Sequence, residues 1–309
     1  MKNLLNKRIL ITGGTGFFGK HLIELLSISN YDILCYGRSR DKINKIFGGS
    51  VTAVDTLNID FDYLIHAACP TASSELANKS VETIDTIYTL TKSALEAAKR
   101  NNARMLFLSS MEVYGKIDCI VDEEDLGTID LSLPRSGYAE GKRLAELLCN
   151  SYRSEYGTDV VIARLSQLFG PGSEKNDQRF FNYALRCLAK NENIKLSTDG
   201  TNYHNSIYVE DAAKLCLSLL FSNLSGTYNI TNPANAMSIT DLCNKMIECV
   251  GSDKKIEYQI SDTTKFRANS KCIISNKKIL DAFPDFHYTS FEKSITAAYD
   301  YIKRSLADS

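Results

Sequence analysis

The chain has 309 residues, of which 44% are apolar and 24% are charged, a balance typical of a globular protein with a substantial core. Its net charge of −1 implies no polybasic surface for nucleic acids or anionic lipids. No apolar run has the length of a transmembrane helix, and the run near the N-terminus is too short for a signal peptide.

Strand and helix patterns alternate through the first half of the chain. The predicted strands are 8–12, 32–37, 62–68, 104–110 and 159–165. The predicted helices are 17–29, 80–100 and 138–156. Such alternation predicts an α/β fold with a doubly wound parallel sheet that helices cover on both faces.

The alternation weakens from about residue 168, which predicts a smaller C-terminal α/β lobe. We predict a dinucleotide-binding domain over 1–167 and about 205–232, and a substrate-binding lobe over 168–204 and about 233–309. Nine cysteines without paired spacing indicate the reduced thiols of a cytoplasmic protein. The four histidines lack metal-ligand spacing, so we expect no metal site.

The segment TGGTGFFG lies between the first predicted strand and the first predicted helix. Its glycines at 13, 16 and 19 let the backbone turn tightly and approach a pyrophosphate, which the helix N-terminus meets with N–H groups. Glycine triplets also occur in turns that bind nothing, but the position between a strand and a helix favours dinucleotide binding. Phe17 and Phe18, which open the helix, belong to the same predicted site.

The end of the second predicted strand favours NADP over NAD. NAD sites usually hold an acidic side chain there, and its carboxylate binds the ribose 2′-hydroxyl. This chain has Gly37 at that place and Arg38 after it. A carboxylate would repel a 2′-phosphate, whereas a guanidinium binds one through two hydrogen bonds. The alternative is that Arg38 is only a solvated loop cation.

Tyr138 and Lys142 are four residues apart in a predicted helix and therefore lie on one face of it. An ammonium group near the phenol favours the phenolate, so we expect Lys142 to lower the pKa of Tyr138 and to assist its use as an acid or base. Lys142 is also a candidate donor to the cofactor ribose. A Tyr and a Lys at this spacing occur often by chance. A catalytic role is favoured here because the pair follows a glycine turn and Ser110 at a strand end.

Five segments occur in the order TGGTGFFG, LIHAACPTAS, LFLSSMEVYG, SGYAEGKR and ARLSQLFGPG. As a set, over about residues 8–211, they resemble the extended short-chain dehydrogenase/reductase family of nucleotide-sugar epimerases, dehydratases, decarboxylases and reductases. HAACPTAS and LPRSGYAEGKR are most similar to the UDP-glucuronate decarboxylase branch. The resemblance implies a Rossmann domain, a C-terminal lobe that binds a nucleotide sugar, and a homodimer formed through two long helices.

The resemblance implies that Ser110, Tyr138 and Lys142 are the catalytic residues, with Glu112 as a further candidate. The predicted cofactor-binding residues are Gly13, Gly16, Phe17, Phe18, Gly19, Arg38, Ala67, Tyr138 and Lys142. The predicted substrate-binding residues are Ser110, Gln167, Arg179 and His204. Gln167 and His204 stand where many members have Asn and Arg, and the later arginine of the decarboxylases has no clear match over 267–271.

Met111 bears on whether the chain can eliminate water from a sugar. Elimination of water needs an acid for the leaving hydroxyl and a base for the adjacent carbon. Family dehydratases have Asp and Glu at the two places where this chain has Met111 and Glu112. One carboxylate leaves that mechanism incomplete, so we expect no dehydratase activity. Glu112 has the alternative role of a strand-end residue that holds a neighbouring loop.

These observations predict a cytoplasmic enzyme that uses NADPH to reduce the 4-keto group of a nucleoside-diphosphate 4-keto-6-deoxyhexose. A dTDP-linked sugar for bacterial surface polysaccharide, such as O-antigen or capsule, is the substrate expected from family habit. The first alternative is a UDP-sugar 4-epimerase or UDP-glucuronate decarboxylase that recycles NAD or NADP. The second is a dinucleotide-sensing regulator without turnover. The expected partners are a small-molecule nucleotide sugar and a second copy of the chain, with no nucleic acid and no membrane.

Overall fold

The computed structural model of the chain describes residues 7–29, 31–70, 76, 78–174, 177–260 and 271–307. Its strands are β1 (Arg8–Thr12), β2 (Asp32–Tyr36), β3 (Thr52–Val54), β4 (Tyr63–His66), β5 (Arg104–Ser110), β6 (Ile120–Val121), β7 (Val160–Leu165), β8 (Gln167–Phe169), β9 (Ile194–Leu196), β10 (Tyr203–His204), β11 (Ser206–Tyr208), β12 (Gly226–Ile230), β13 (Met237–Ser238), β14 (Ile256–Tyr258) and β15 (Ile273–Ile274).

The described α-helices are α1 (Phe17–Ser27), α2 (Arg40–Phe47), α3 (Ser80–Asn101), α4 (Ser136–Tyr156), α5 (Phe180–Ala189), α6 (Val209–Phe221), α7 (Ile239–Cys249), α8 (Lys277–Ala282) and α9 (Phe291–Ala307). Short 3-10 helices cover Met111–Tyr114 and Pro233–Asn235. Within these described residues, no helix combines the length and the apolar composition that crossing a bilayer requires.

Seven strands form one sheet in the order β3–β2–β1–β4–β5–β7–β12. The pairings from β3 to β7 are all parallel. Leu10 of β1 lies opposite Leu34 of β2 on one side and Leu64 of β4 on the other, and all three are fully buried. This order and direction confirm the predicted α/β fold with a doubly wound parallel sheet.

The five predicted strands are confirmed, with shifts of at most two residues at their ends. The predicted helix over 17–29 is two residues too long, because the chain leaves the helix at Ile28, whose side chain is exposed. The sequence reasoning missed β3 and α2, which have three and eight residues. The helix α2 begins after Ser39, whose hydroxyl accepts a hydrogen bond from the Lys42 amide, and such local capping needs no apolar period.

The described residues cluster into two compact units. The first takes in those up to Val113 together with Ile129–Leu165 and Ala213–Tyr228. The second takes in Tyr114–Thr128, Ser166–Ala212 and those from Asn229 onward. Within the second unit, two-stranded sheets pair β8 with β11, β9 with β14, β10 with β13, and β6 with β15. The predicted domain boundaries stay a prediction.

The parallel register brings the carboxyl ends of β1, β4 and β5 to one edge of the sheet. Thr12 lies opposite His66, and His66 lies opposite Phe107. The Ala68 amide donates to the Thr12 hydroxyl over 3.2 Å, which ties the segment after β4 to the end of β1. Ligands of open α/β sheets bind at this edge, which makes it the candidate site of this chain.

Candidate active site

The glycine turn after β1 is too tight for side chains at two of its positions. Gly13 has a φ of +73°, and a Cβ there would lie 2.7 Å from the Ala67 carbonyl carbon. A Cβ on Gly19 would overlap the Gly13 carbonyl oxygen. The Gly16 amide donates to the Gly13 carbonyl over 3.0 Å, and no side chain caps the helix that starts at Phe17. This backbone cradle fits a dinucleotide pyrophosphate.

The second strand ends in a loop that offers a cation and no acid. Gly37 follows β2, and a Cβ there would lie 3.2 Å from the Ile43 side chain, so a larger residue would require Ile43 to shift. The Arg40 Nε donates to the Ala53 carbonyl over 3.2 Å. Arg38 is exposed and has no hydrogen bond or ion pair with any part of the chain that the structure describes. Its guanidinium is therefore accessible to solvent at the end of β2.

Tyr138 lies on the first turn of α4 with only 7% of its surface exposed. Burial raises the pKa of its phenol well above the ordinary value, and the nearby Cys69 thiol and Glu112 carboxylate act in the same direction. A hydrogen bond from Ser110 and the charge of Arg135 act in the opposite direction. The phenol of Tyr138 therefore keeps its proton at neutral pH.

Lys142 lies on the same helix face as Tyr138, as predicted, and its side chain is buried. Its ammonium group donates to the Leu108 carbonyl over 2.8 Å and lies 4.9 Å from the centre of the Phe107 ring. It is 6.0 Å from the centre of the Tyr138 ring. The pKa of Tyr138 is raised and not lowered as predicted, and burial of the phenol is the largest cause.

Glu112 follows β5 in the 3-10 helix and forms an ion pair that the sequence reasoning missed. Its Oε1 accepts a hydrogen bond from the Arg135 guanidinium over 2.7 Å. The Glu112 amide donates to the Ser110 hydroxyl over 3.2 Å. Burial raises the pKa of Glu112, although Arg135 opposes that rise. The sequence did offer one indication of this cation near Tyr138, because Arg135 precedes Tyr138 by three residues, about one helical turn.

His66 holds the strand ends together as a neutral ring. Its Nδ1 lies 2.8 Å from the Thr12 hydroxyl, its Nε2 lies 3.3 Å from the Thr91 hydroxyl, and its ring stacks on Phe107. Burial lowers the pKa of His66 to about 3, and the charge of Lys142 acts in the same direction.

We expect acid to destabilise the fold through His66. Its pKa is about 3 in the folded chain and 6.5 ordinarily, so the unfolded chain binds the proton first as pH falls below 6.5. Each pH unit in that window removes up to about 1.4 kcal/mol of the free energy of unfolding. Urea unfolding of wild type and His66→Gln at several pH values between 6.5 and 4.5 measures this slope. It should be shallower in His66→Gln but not in a His287→Gln control, and equal slopes would contradict the assignment.

The three remaining candidates for substrate binding lie in the second unit. Gln167 opens β8, and its amide donates to the Asn205 carbonyl over 3.0 Å. The Arg179 Nε donates to Asp177 over 2.8 Å. Burial alone would raise the pKa of Asp177, but the hydrogen bonds from Arg179 outweigh burial and lower it. Much of the positive charge of Arg179 is therefore neutralised within the unit.

His204 packs against Phe180 and Phe181, with ring centres 5.9 Å and 5.2 Å away. Burial lowers the pKa of His204 to about 4, so the ring is neutral at pH 7. Its Nδ1 is buried and has no hydrogen-bond partner among the described residues. His204 therefore offers a neutral polar nitrogen where a charged arginine was expected from the resemblance. Arg267, considered for a later arginine site, lies outside the described residues.

The sequence matches a family model and several known proteins. The model of the NAD dependent epimerase/dehydratase family matches residues 9–231. The chain is 32% identical over 264 residues to UDP-glucuronic acid decarboxylase 1 of Xenopus tropicalis, which covers 82% of the chain. The chain spans only 62% of the length of that relative. It is 30% identical over 293 residues to UDP-glucuronic acid decarboxylase 6 of Arabidopsis thaliana, covering 89% of the chain and 83% of the relative.

Among solved structures, the chain resembles UDP-glucuronic acid 4-epimerase of Bacillus cereus in complex with UDP-glucuronic acid and NAD. The TM-score is 0.81 with 21% identity, and the match covers 96% of the chain and 99% of the epimerase. At that identity the likeness shows the fold. The family match over residues 9–231 and the related sequences confirm the resemblance inferred from the motifs: the chain belongs to the NAD-dependent epimerase/dehydratase family.

Proposed function

We propose that the chain is an enzyme that uses NADPH to reduce the 4-keto group of a nucleoside-diphosphate 4-keto-6-deoxyhexose, with a dTDP-linked sugar as the first substrate to test. The observation that carries this choice is the end of β2, where Arg38 is exposed and Gly37 replaces the acid of NAD sites. A cofactor with a 2′-phosphate suits net reduction, because cells supply reducing power mainly as NADPH.

The proposed mechanism is hydride transfer coupled to protonation of one sugar oxygen. A bound NADPH would supply the hydride. The phenol of Tyr138 donates its proton to the sugar oxygen, and the Ser110 hydroxyl hydrogen-bonds the same oxygen. The glycine turn would hold the pyrophosphate, Arg38 the 2′-phosphate, and Lys142 the nicotinamide ribose. Met111 supplies no acid for elimination, so a hexose that carries a 6-hydroxyl would not be dehydrated.

A cavity within the second unit supports a nucleotide sugar as substrate. It has a volume of about 450 Å³, and its lining includes Phe180, Tyr183, Lys195 and Gln259. Aromatic faces stack on bases, and a lysine attracts phosphate. We propose that this cavity receives the nucleoside part, with Gln167, Arg179 and His204 as further substrate contacts.

The exposed faces of two long helices support a homodimer. Val81, Ile84 and Tyr88 lie along one face of α3, and Leu144 and Leu147 lie along α4. Apolar side chains at such helical spacing form a stripe that a partner would cover. We propose a second copy of this chain as the partner, which is the dimer that the family resemblance implies.

We expect Arg38→Asp to reverse the cofactor preference. The wild type should bind NADPH more tightly than NADH, and the variant should lose about 10- to 100-fold in NADPH affinity, because it removes charge-assisted hydrogen bonds and adds repulsion. Fluorescence titration with both cofactors measures this. Lys45→Asp, the same charge change at an exposed position on α2, is the matched control. Equal affinities in the wild type would speak against the 2′-phosphate site.

A second candidate is decarboxylation or 4-epimerisation of a UDP-sugar with cofactor recycling. Glu112 and Arg135 favour it, since they place a carboxylate and a guanidinium beside Tyr138, and the relatives are decarboxylases by name. The proposed reduction is tested with dTDP-4-keto-6-deoxyglucose, UDP-glucuronate and UDP-hexoses, each with NADPH or NADH. Oxidation of NADPH only with the keto sugar would support reduction.

A further inference from the structure

The ion pair of Glu112 and Arg135 is tied to Tyr138 from two sides, since the Glu112 amide donates to the Ser110 hydroxyl and the Tyr138 amide donates to the Arg135 carbonyl. Glu112 comes from the 3-10 helix after β5, and Arg135 is the residue immediately before α4. Both groups act electrostatically on Tyr138, Glu112 against its ionisation and Arg135 in favour of it. About three quarters of the Glu112 side chain is removed from solvent, so its charge is poorly screened by water.

The side chain of Arg135 has no role in starting the helix. The side chain makes no capping hydrogen bond. The backbone carbonyl of Arg135 accepts a hydrogen bond from the Tyr138 amide over 3.2 Å. Any residue could supply that carbonyl. The described contact of the guanidinium is the Glu112 carboxylate, which points to an electrostatic role.

We propose that Arg135 is a positioning residue for Tyr138: by binding the Glu112 carboxylate, it keeps that negative charge from holding back the phenol proton. The proposal rests on the proposed function for the role of Tyr138 as proton donor. It assigns Arg135 no contact with the substrate or the cofactor.

The other polar groups around this pair act differently. The Cys69 thiol acts against ionisation of Tyr138. Arg143 donates to the Val113 carbonyl over 2.7 Å and pairs with Glu140. Lys142 donates to the Leu108 carbonyl. Of these cations, Arg135 is the one that the structure pairs with Glu112, so its loss leaves the carboxylate without that compensation.

Removal of Arg135 should produce a pH signature. Burial raises the pKa of Glu112, and without the opposing charge of Arg135 that pKa rises further. Below the new pKa, Glu112 is neutral and Tyr138 is unaffected. Above it, an uncompensated carboxylate disfavours loss of the phenol proton, so activity falls as pH rises through the Glu112 titration.

The test compares pH profiles of kcat for wild type, Arg135→Lys, Arg135→Ala, Glu112→Gln and the double variant Arg135→Ala/Glu112→Gln. At pH values above the Glu112 pKa, Arg135→Ala should have a kcat about tenfold lower than the wild type. Tenfold is the factor that corresponds to a change of one unit in the pKa of the phenol. The KM of Arg135→Ala for NADPH should stay the same, and Arg135→Lys should retain most of the turnover. The double variant should match Glu112→Gln. An equal Arg135→Ala loss in both backgrounds, or none, would overturn the proposal.

A second readout needs no turnover. In protein labelled at tyrosine 13Cζ, the Tyr138 resonance, assigned by its absence in Tyr138→Phe, reports charge at the phenol. The shift caused by the Glu112 titration should occur at a higher pH in Arg135→Ala than in the wild type, and it should be absent in the double variant. A Tyr138 chemical shift that does not change through the Glu112 titration in Arg135→Ala would overturn the proposal. If the resonance shifts while no keto sugar is reduced, the proposed function fails and the positioning role stands.

Discussion

Replacing Tyr138 with Phe is expected to lower turnover by about 100- to 10,000-fold, the usual contribution of general acid–base catalysis. The ring belongs to the hydrophobic core of the first unit, and Phe keeps that ring, so the fold and the cofactor site should survive. What disappears is the phenol proton and the hydrogen bond with Ser110. Initial rates with the keto sugar give kcat, and fluorescence titration gives the NADPH affinity, which should not change.

Tyr152→Phe is the matched control for this substitution. Tyr152 lies on the same helix, is similarly buried, and donates its hydroxyl proton to Glu96 over 2.5 Å. Loss of that hydroxyl removes a helix–helix contact without touching the candidate site. Turnover of Tyr138→Phe within threefold of the wild type would refute the role of Tyr138.

Removing Glu146 is expected to destabilise the fold by about 3–5 kcal/mol, the usual effect of breaking a buried ion pair. Glu146 lies two turns after Tyr138 on the same face of α4. Its carboxylate accepts hydrogen bonds from Ser109 of β5 over 2.5 Å and from Arg164 of β7 over 2.7 Å. Less than a tenth of either charged side chain is exposed. Glu146→Ala therefore removes the carboxylate that the structure pairs with the buried Arg164 guanidinium.

Urea unfolding measures the free energy of unfolding of Glu146→Ala and of the double variant Glu146→Leu/Arg164→Met. Comparing the two variants separates the effect of breaking the ion pair from the effect of lost packing. The double variant removes both charges and fills the space, so it should recover most of the stability. It should also keep α4 on the sheet, with Tyr138 and Lys142 in place. A Glu146→Ala variant within about 1 kcal/mol of the wild type would contradict the buried pair, because that is the range of exposed pairs.

Local patterns predicted the sheet and the helix that carries Tyr138 and Lys142. The strands of the sheet interior are apolar runs between glycines and helical patterns, so their positions were visible in the sequence. Tyr138 and Lys142 were placed on one helix face by spacing alone, and the structure confirms that placement. The short elements β3 and α2 were missed because three strand residues and one polar helix carry too little periodicity.

The electrostatics of the site could not be predicted, because they depend on distant segments that the fold brings together. The Lys142 ammonium bonds the Leu108 carbonyl, 34 residues earlier in the chain. Glu112 meets Arg135 across 23 residues. Spacing gives the face of a helix, but only packing shows how deeply a phenol is buried and which charge its neighbour contacts. For this reason the expected fall in the pKa of Tyr138 was wrong while its position was right.

The central claim is net reduction, and the ratio of NADPH oxidised to product formed tests it most directly. The enzyme would be mixed with dTDP-4-keto-6-deoxyglucose and excess NADPH, with absorbance reporting the cofactor and mass spectrometry the sugar. We expect one NADPH consumed for each reduced sugar, with Tyr138→Phe giving neither. Product formed from UDP-glucuronate or a UDP-hexose without net loss of NADPH would contradict the claim and identify an enzyme that recycles its cofactor.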